Sequence, residues 1–142
     1  MTERRDRQLD SQDYRKLADF RYALRWFLHF SEEAARQAGL TPQQHQLLLA
    51  IKGFPDGREP TVGDAAERLG VRHHSAVELA QRLEEAGLLL RIHDGQDRRR
   101  VRLRLTPEAE ERLARLTQSH LDELQRLRPL LVGLLGAASE AG

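Results

Sequence analysis

Six arginines fall between Arg91 and Arg104, against two aspartates, Asp94 and Asp97. A guanidinium can fork onto phosphate or carboxylate oxygens with two parallel hydrogen bonds, so such a cluster suits a polyanionic partner. The segment carries a local charge of +4 in a chain whose formal net charge is +1, which leaves −3 for the remainder. Whole-chain charge therefore says little about partners, and its segregation says much. Of the 23 basic residues only Lys16 and Lys52 are lysine. On both sides of the cluster the residues alternate with a period of two, as paired strands do. Upstream, Leu88, Leu90 and Ile92 form the expected apolar face, alternating with Leu89, Arg91 and His93. Downstream, Val101, Leu103 and Leu105 alternate with Arg100, Arg102 and Arg104. Asp94-Gly95 is a tight-turn dipeptide, so the expectation is a short hairpin with Gln96 to Arg99 at its tip. One face packs and the other is free to meet phosphate.

A second group of polar side chains lies just upstream. Arg72, His73, His74, Ser75, Glu78, Gln81 and Arg82 crowd the early turns of a helical pattern running from about His73 to Ala86, with Val77 ambiguous between its apolar and polar sides. Side chains of these types at the start of a helix reach base edges in a DNA major groove, while Arg72 and Arg82 are better placed for phosphate. Glu78 could accept from a cytosine amine or pair with Arg82. The adjacent histidines, with His93 nearby, raise metal binding, but neighbours on a helix point in different directions and no further ligand completes a site. Protonation of His73 or His74 would instead add charge toward phosphate below about pH 6.5. No cysteine is present, which excludes disulfides, thiolate metal sites and thiol redox chemistry. No phosphate-binding glycine loop, nucleophile elbow or convincing carboxylate pair appears, and Glu84-Glu85 and Glu110-Glu111 read as solvated helix faces. An enzyme is not expected, nor is a cofactor.

The surrounding elements must position these groups. Residues up to about 11 are polar and read as a solvated arm. A helix is expected over 13–38, with Leu17, Phe20, Leu24, Phe27, Ser31 and Ala34 at steps of three or four, and a second stripe of Tyr22, Trp26, His29 and Phe30 on another face. A helix apolar on two sides has more surface than a small domain covers, which predicts burial against a second copy. Gly39 stops it, and Thr41-Pro42-Gln43-Gln44 is a capping box with proline in the first turn, opening a helix to about Lys52. A Pro- and Gly-containing loop follows over 53–60. Thr61 caps a short helix to Leu69, Gly70 ends it, and the polar helix at His73 comes next. Ala66, Gly70 and Ala76 place small residues where two helices approach and turn. After the hairpin, Thr106-Pro107-Glu108 opens a helix with Leu113, Leu116, His120, Leu124 and Leu127 in register, and Pro129 is expected to break it before a final short helix. The fold class is thus mainly α with a small β-hairpin: a winged helix-turn-helix over about 41–106, flanked by N- and C-terminal dimerisation helices at about 13–38 and 107–138, in a single domain spanning 1–142.

These residues resemble the MarR (multiple antibiotic resistance regulator) family of winged-helix transcription factors, most clearly from Leu40 to Thr106. Leu69-Gly70-Val71 resembles the family's turn, Leu83-Glu84 with Gly87-Leu88 its helix exit, and Asp97-Arg98-Arg99 leading to Val101, Leu105 and Thr106 its wing signature. The chain departs from the family pattern where Arg72-His73-His74-Ser75 replaces a Ser-Pro-Ser-Thr helix start, which removes a small N-cap worth about 1 kcal/mol, and at Ala76, where a larger branched residue is usual. The resemblance implies that Arg98 or Arg99 enters a minor groove while Asp97 orients the wing arginines, with Arg100 beside them. It also implies a homodimer on a pseudo-palindromic operator, and release by a small aromatic or phenolic effector. Tyr22, Trp26, His29, Phe30 and His45 are the candidate effector contacts, although aromatics at helical spacing serve equally as core or dimer contacts. The expected function is a cytoplasmic, sequence-specific repressor binding double-stranded DNA. The alternatives are a winged-helix module that binds protein and a pH- or metal-responsive regulator. At 142 residues, with no apolar run able to span a bilayer and no signal peptide expected, the chain reads as soluble and intracellular.

Overall fold

A computed structural model describes residues 8–93, 95–96 and 100–139. Five α-helices and one hairpin follow in the order α1 (Ser11–Gln37), α2 (Pro42–Lys52), α3 (Val62–Leu69), α4 (His73–Glu85), β1 (Leu89–His93), β2 (Val101–Leu105) and α5 (Pro107–Ser139). A single 3-10 turn at Pro55–Gly57 occupies the loop after α2. The helix starts follow the capping chemistry. Thr41 Oγ1 accepts from the Gln44 N–H and the Gln44 side chain accepts from the Thr41 N–H, at 3.1 and 2.9 Å. Thr61 and Asp64 repeat the arrangement at the start of α3, at 3.1 and 3.0 Å. Each box satisfies amide groups that a helix start leaves without partners. Gly70 closes α3 at φ +66°, a left-handed conformation that a side chain would strain.

The chain divides into two compact units, residues 31–119 and the remainder at both ends. In the first, α2, α3, α4 and the hairpin enclose a core of Leu47, Leu48, Ile51, Ala65, Ala66, Ala76, Ala80, Leu83, Leu89, Leu103 and Leu105, joined by Ala35, Leu113 and Leu116. Ala66 and Ala76 are both buried, consistent with close approach of α3 and α4.

The hairpin pairs Leu89 with Leu105, Arg91 with Leu103 and His93 with Val101. Directly opposed residues share a face, so β1 turns Leu89 and Arg91 inward and presents Leu90 and Ile92 beside Arg104 and Arg102. This reverses the face expected for β1: Leu89 is 1% exposed and Leu90 is 45% exposed. The alternation starts one residue late because Leu88 and Leu89 are consecutive and both buried, Leu88 belonging to the turn out of α4 through its N–H bond to Leu83 O. The two strands end at His93 and Val101, with residues 94–100 in the connection between them. Asp94, Asp97, Arg98 and Arg99 fall in it and lie outside the described residues. A third segment joins the wing. Leu103 N–H donates to Pro60 O at 2.9 Å, and Thr61 forms an antiparallel bridge with Arg102.

The second unit contains the first part of α1 and the later part of α5. Among its described residues only Ala23 and Glu123 are buried, while Leu17, Phe20, Tyr22, Leu24, Trp26 and Leu28 of α1 are exposed. His120 stacks edge-on against Phe27 and Phe30, with ring centroids 5.8 and 5.4 Å away. The helix break expected at Pro129 does not occur: α5 runs to Ser139 with the proline inside it. A proline deletes one hydrogen bond and crowds the carbonyl four residues back, here Gln125. Leucines on both sides, with Arg126 and Arg128 before it, favour the helix and carry it across that local loss.

The register makes a direct prediction. Leu89→Ala is expected to destabilise by about 2–5 kcal/mol in urea unfolding, as a buried leucine does, and Leu90→Ala by under about 1 kcal/mol. The opposite order would contradict the register.

Candidate nucleic-acid interface

Helix α4 has an inner and an outer face. Ala76, Ala80 and Leu83 are buried, Ser75 and Val77 half-buried, and Arg72, His73, His74, Glu78, Gln81 and Arg82 exposed. Positions 74, 78, 81 and 82 fall on one stripe of a 3.6-residue helix, so the polar groups picked out in the sequence form a continuous outward surface. Glu78 and Arg82 make no ion pair with each other, leaving both heads in solvent. Arg72 is the N-cap and, as expected from its type, makes no side-chain capping bond. The first amides of α4 thus lack a side-chain acceptor, at the positive end of the helix dipole.

The hairpin stands beside this surface, and three of its arginines are engaged within the protein. Arg91, turned inward on β1, donates from Nε and Nη2 to Glu84 Oε1 near the end of α4, at 3.2 and 2.9 Å. Arg104 forks onto Glu59, Nε to Oε2 and Nη2 to Oε1, both at 2.8 Å. Arg102 Nη1 lies 3.7 Å from the same Oε1. Each partnership appears in the acidity of the carboxylates. The Arg104 fork holds the Glu59 carboxyl below its usual value, and the Arg91 bonds do the same for Glu84, against an opposing effect of burial in each. Asp64 is lowered first by the backbone bond from Thr61. Glu84, expected as part of a solvated pair, is instead a strut between α4 and β1, and Glu110 pairs with Lys52 at 2.9 Å.

Arg100 remains exposed and lines a cleft of about 390 Å³ together with His73, Val77, Arg91 and Val101, so the start of α4 and the base of the wing face one open space. His93 is exposed at the end of β1. Among the described residues, no group of three or more His, Asp or Glu side chains is placed to hold a metal ion, and no helix is long and apolar enough to cross a membrane. The candidate effector residues are divided between the two units. Tyr22, Trp26 and His29 are exposed on α1, Phe30 is half-buried against His120, and His45 is 3% exposed in the core of the other unit. Glu59 went unnoticed in the sequence. It lies 45 residues from Arg104, and neither periodicity nor local charge pattern reports such a contact.

The geometry has counterparts among known proteins. A family model described as the MarR family matches residues 38–100. The putative transcriptional regulatory protein for the hcr operon of Thauera aromatica is 32% identical over 117 residues, covering 77% of this chain and 69% of that protein. The HTH-type transcriptional repressor MdtR of Bacillus subtilis is 33% identical over 78 residues, a match spanning 55% of this chain and 48% of that repressor's length. The S. aureus MepR–DNA complex superposes with a TM-score of 0.70 at 21% identity, covering 94% of this chain and 93% of the MepR chain. The chain belongs to the MarR family, a family of transcriptional regulators and not of enzymes.

The Glu84–Arg91 strut sets a pH dependence. Folding lowers the Glu84 pKa from 4.5, so the pair contributes stability above that pH, and the contribution is withdrawn as pH falls through the lowered folded value. Unfolding free energies of the wild type and Glu84→Gln measured from pH 7 to pH 3 are expected to differ at neutral pH and to converge in acid. A difference independent of pH would show that the strut is not ionic.

Proposed function

We propose that this chain is a homodimeric, cytoplasmic repressor that binds double-stranded DNA through α4 and the wing and is released by a small aromatic or phenolic effector. The observation that carries the DNA reading is the polar stripe of α4, flanked by an arginine-rich wing and backed by the buried Ala76, Ala80 and Leu83. A helix of that construction presents side chains to the edges of base pairs, and wing arginines beside it suit a narrow minor groove. MepR, a structural neighbour, is seen bound to DNA, and MdtR is a repressor; both favour this reading for the present chain. The assignments are then Arg72 and Arg82 to phosphate, His73, His74, Ser75, Glu78 and Gln81 to the major groove, and Arg98, Arg99 and Arg100 with Asp97 to the wing contact.

The dimer reading is supported by what the unit of α1 and α5 leaves uncovered. Leu17, Tyr22 and Trp26 are 62%, 66% and 55% exposed. Apolar surface on this scale is a site of association, and a second copy offers a matching face through a two-fold axis. An effector lodging near the α1 aromatics would act by changing the spacing of the two α4 helices, and a loss of DNA affinity of some tens-fold needs only about 2 kcal/mol of coupling.

Purified protein is expected to sediment as a dimer and to bind a duplex selected from genomic DNA with a steep salt dependence. Joint replacement of Arg98 and Arg99 by Ala is expected to weaken binding and to reduce the salt slope by about two units. Sequence-blind, salt-insensitive association would point instead to a protein-binding module.

A further inference from the structure

The outward face of the wing carries Arg102 and Arg104, the guanidiniums that an electrostatic reading would give to DNA phosphates. Both are turned onto Glu59. The Arg104 fork uses both carboxylate oxygens at 2.8 Å, the strongest geometry available to such a pair. The Glu59 side chain is 28% exposed, so its oxygens are partly shielded from competing water. Glu59 also adjoins Pro60, which is buried and accepts the Leu103 N–H, and Pro60 is followed by Thr61, which bridges Arg102 and caps α3. Side chain and backbone of one short segment thus grip three successive residues of β2 while opening the helix that packs on α4.

We propose that Glu59 is a positioning residue for DNA recognition. It fixes the wing against the α3 cap and keeps Arg102 and Arg104 off phosphate, leaving the wing's DNA contact to Arg98, Arg99 and Arg100. The proposal rests on the DNA-binding reading above. It also runs against simple electrostatics, in which removing an acidic residue beside DNA strengthens binding.

The test titrates full-length protein against a labelled duplex selected from genomic DNA, across salt concentrations, with amide exchange at Leu103 measured in parallel. Glu59→Gln and Arg104→Gln are each expected to weaken binding about fivefold, the scale of a well-formed, half-exposed ion pair, with an unchanged salt slope. The double variant is expected to be no weaker than either single one, and the Leu103 amide to exchange faster in all three. Tighter binding by Glu59→Gln, a salt slope reduced by about one unit in Arg104→Gln, or unchanged Leu103 exchange would each overturn the brace. If the wild type binds no duplex at any salt, the DNA reading fails and the positioning role with it, while faster Leu103 exchange in the variants would still show the fastening itself.

Discussion

A two-stranded hairpin is marginal in water, so the wing depends on what fastens it to the rest of the chain. Three attachments do this at once. Leu89, Leu103 and Leu105 are buried on the helical core, Glu84 and Glu59 take arginines from opposite faces, and Pro60 O adds a backbone rung. The apolar contact supplies the bulk of the free energy. The carboxylates supply direction, because a forked guanidinium tolerates little rotation. The same strand that carries charge outward is therefore held at a fixed angle to α4.

This arrangement changes the meaning of the arginine cluster. Taken as a sequence, Arg91 to Arg104 is a uniform basic patch. In the structure, Arg91, Arg102 and Arg104 serve the fold, and Arg100 stays exposed beside the start of α4. Two carboxylates, Glu84 and Glu59, thus set the arginines that hold the wing apart from Arg100. The same economy appears in α4, where Ala76, Ala80 and Leu83 are buried while His73, His74, Glu78, Gln81 and Arg82 are exposed.

Much of the fold was legible because its signals are local. Thr41 and Thr61 announce helix starts through side-chain acceptors three residues from their donors, and Gly70 announces an end through its positive φ. The outward residues of α4 were legible for the same reason, since helical periodicity sorts faces within two turns. Three features were not. The β1 face depends on which of the consecutive residues Leu88 and Leu89 begins the strand, and pairing with β2 decides that. The continuity of α5 through Pro129 reflects a balance between one lost hydrogen bond and favourable neighbours, which the proline alone does not reveal. Glu59 meets Arg104 only once the chain has folded, so no window of sequence contains both.

In the proposed function, α4 and the wing of two copies read one face of duplex DNA. Hydroxyl-radical footprinting on a fragment selected from genomic DNA tests it most directly. Two protected half-sites are expected about one helical turn apart, roughly 10 base pairs centre to centre, with further protection where each wing reaches the minor groove. Uniform protection along the fragment, or none at concentrations that saturate binding, would contradict it.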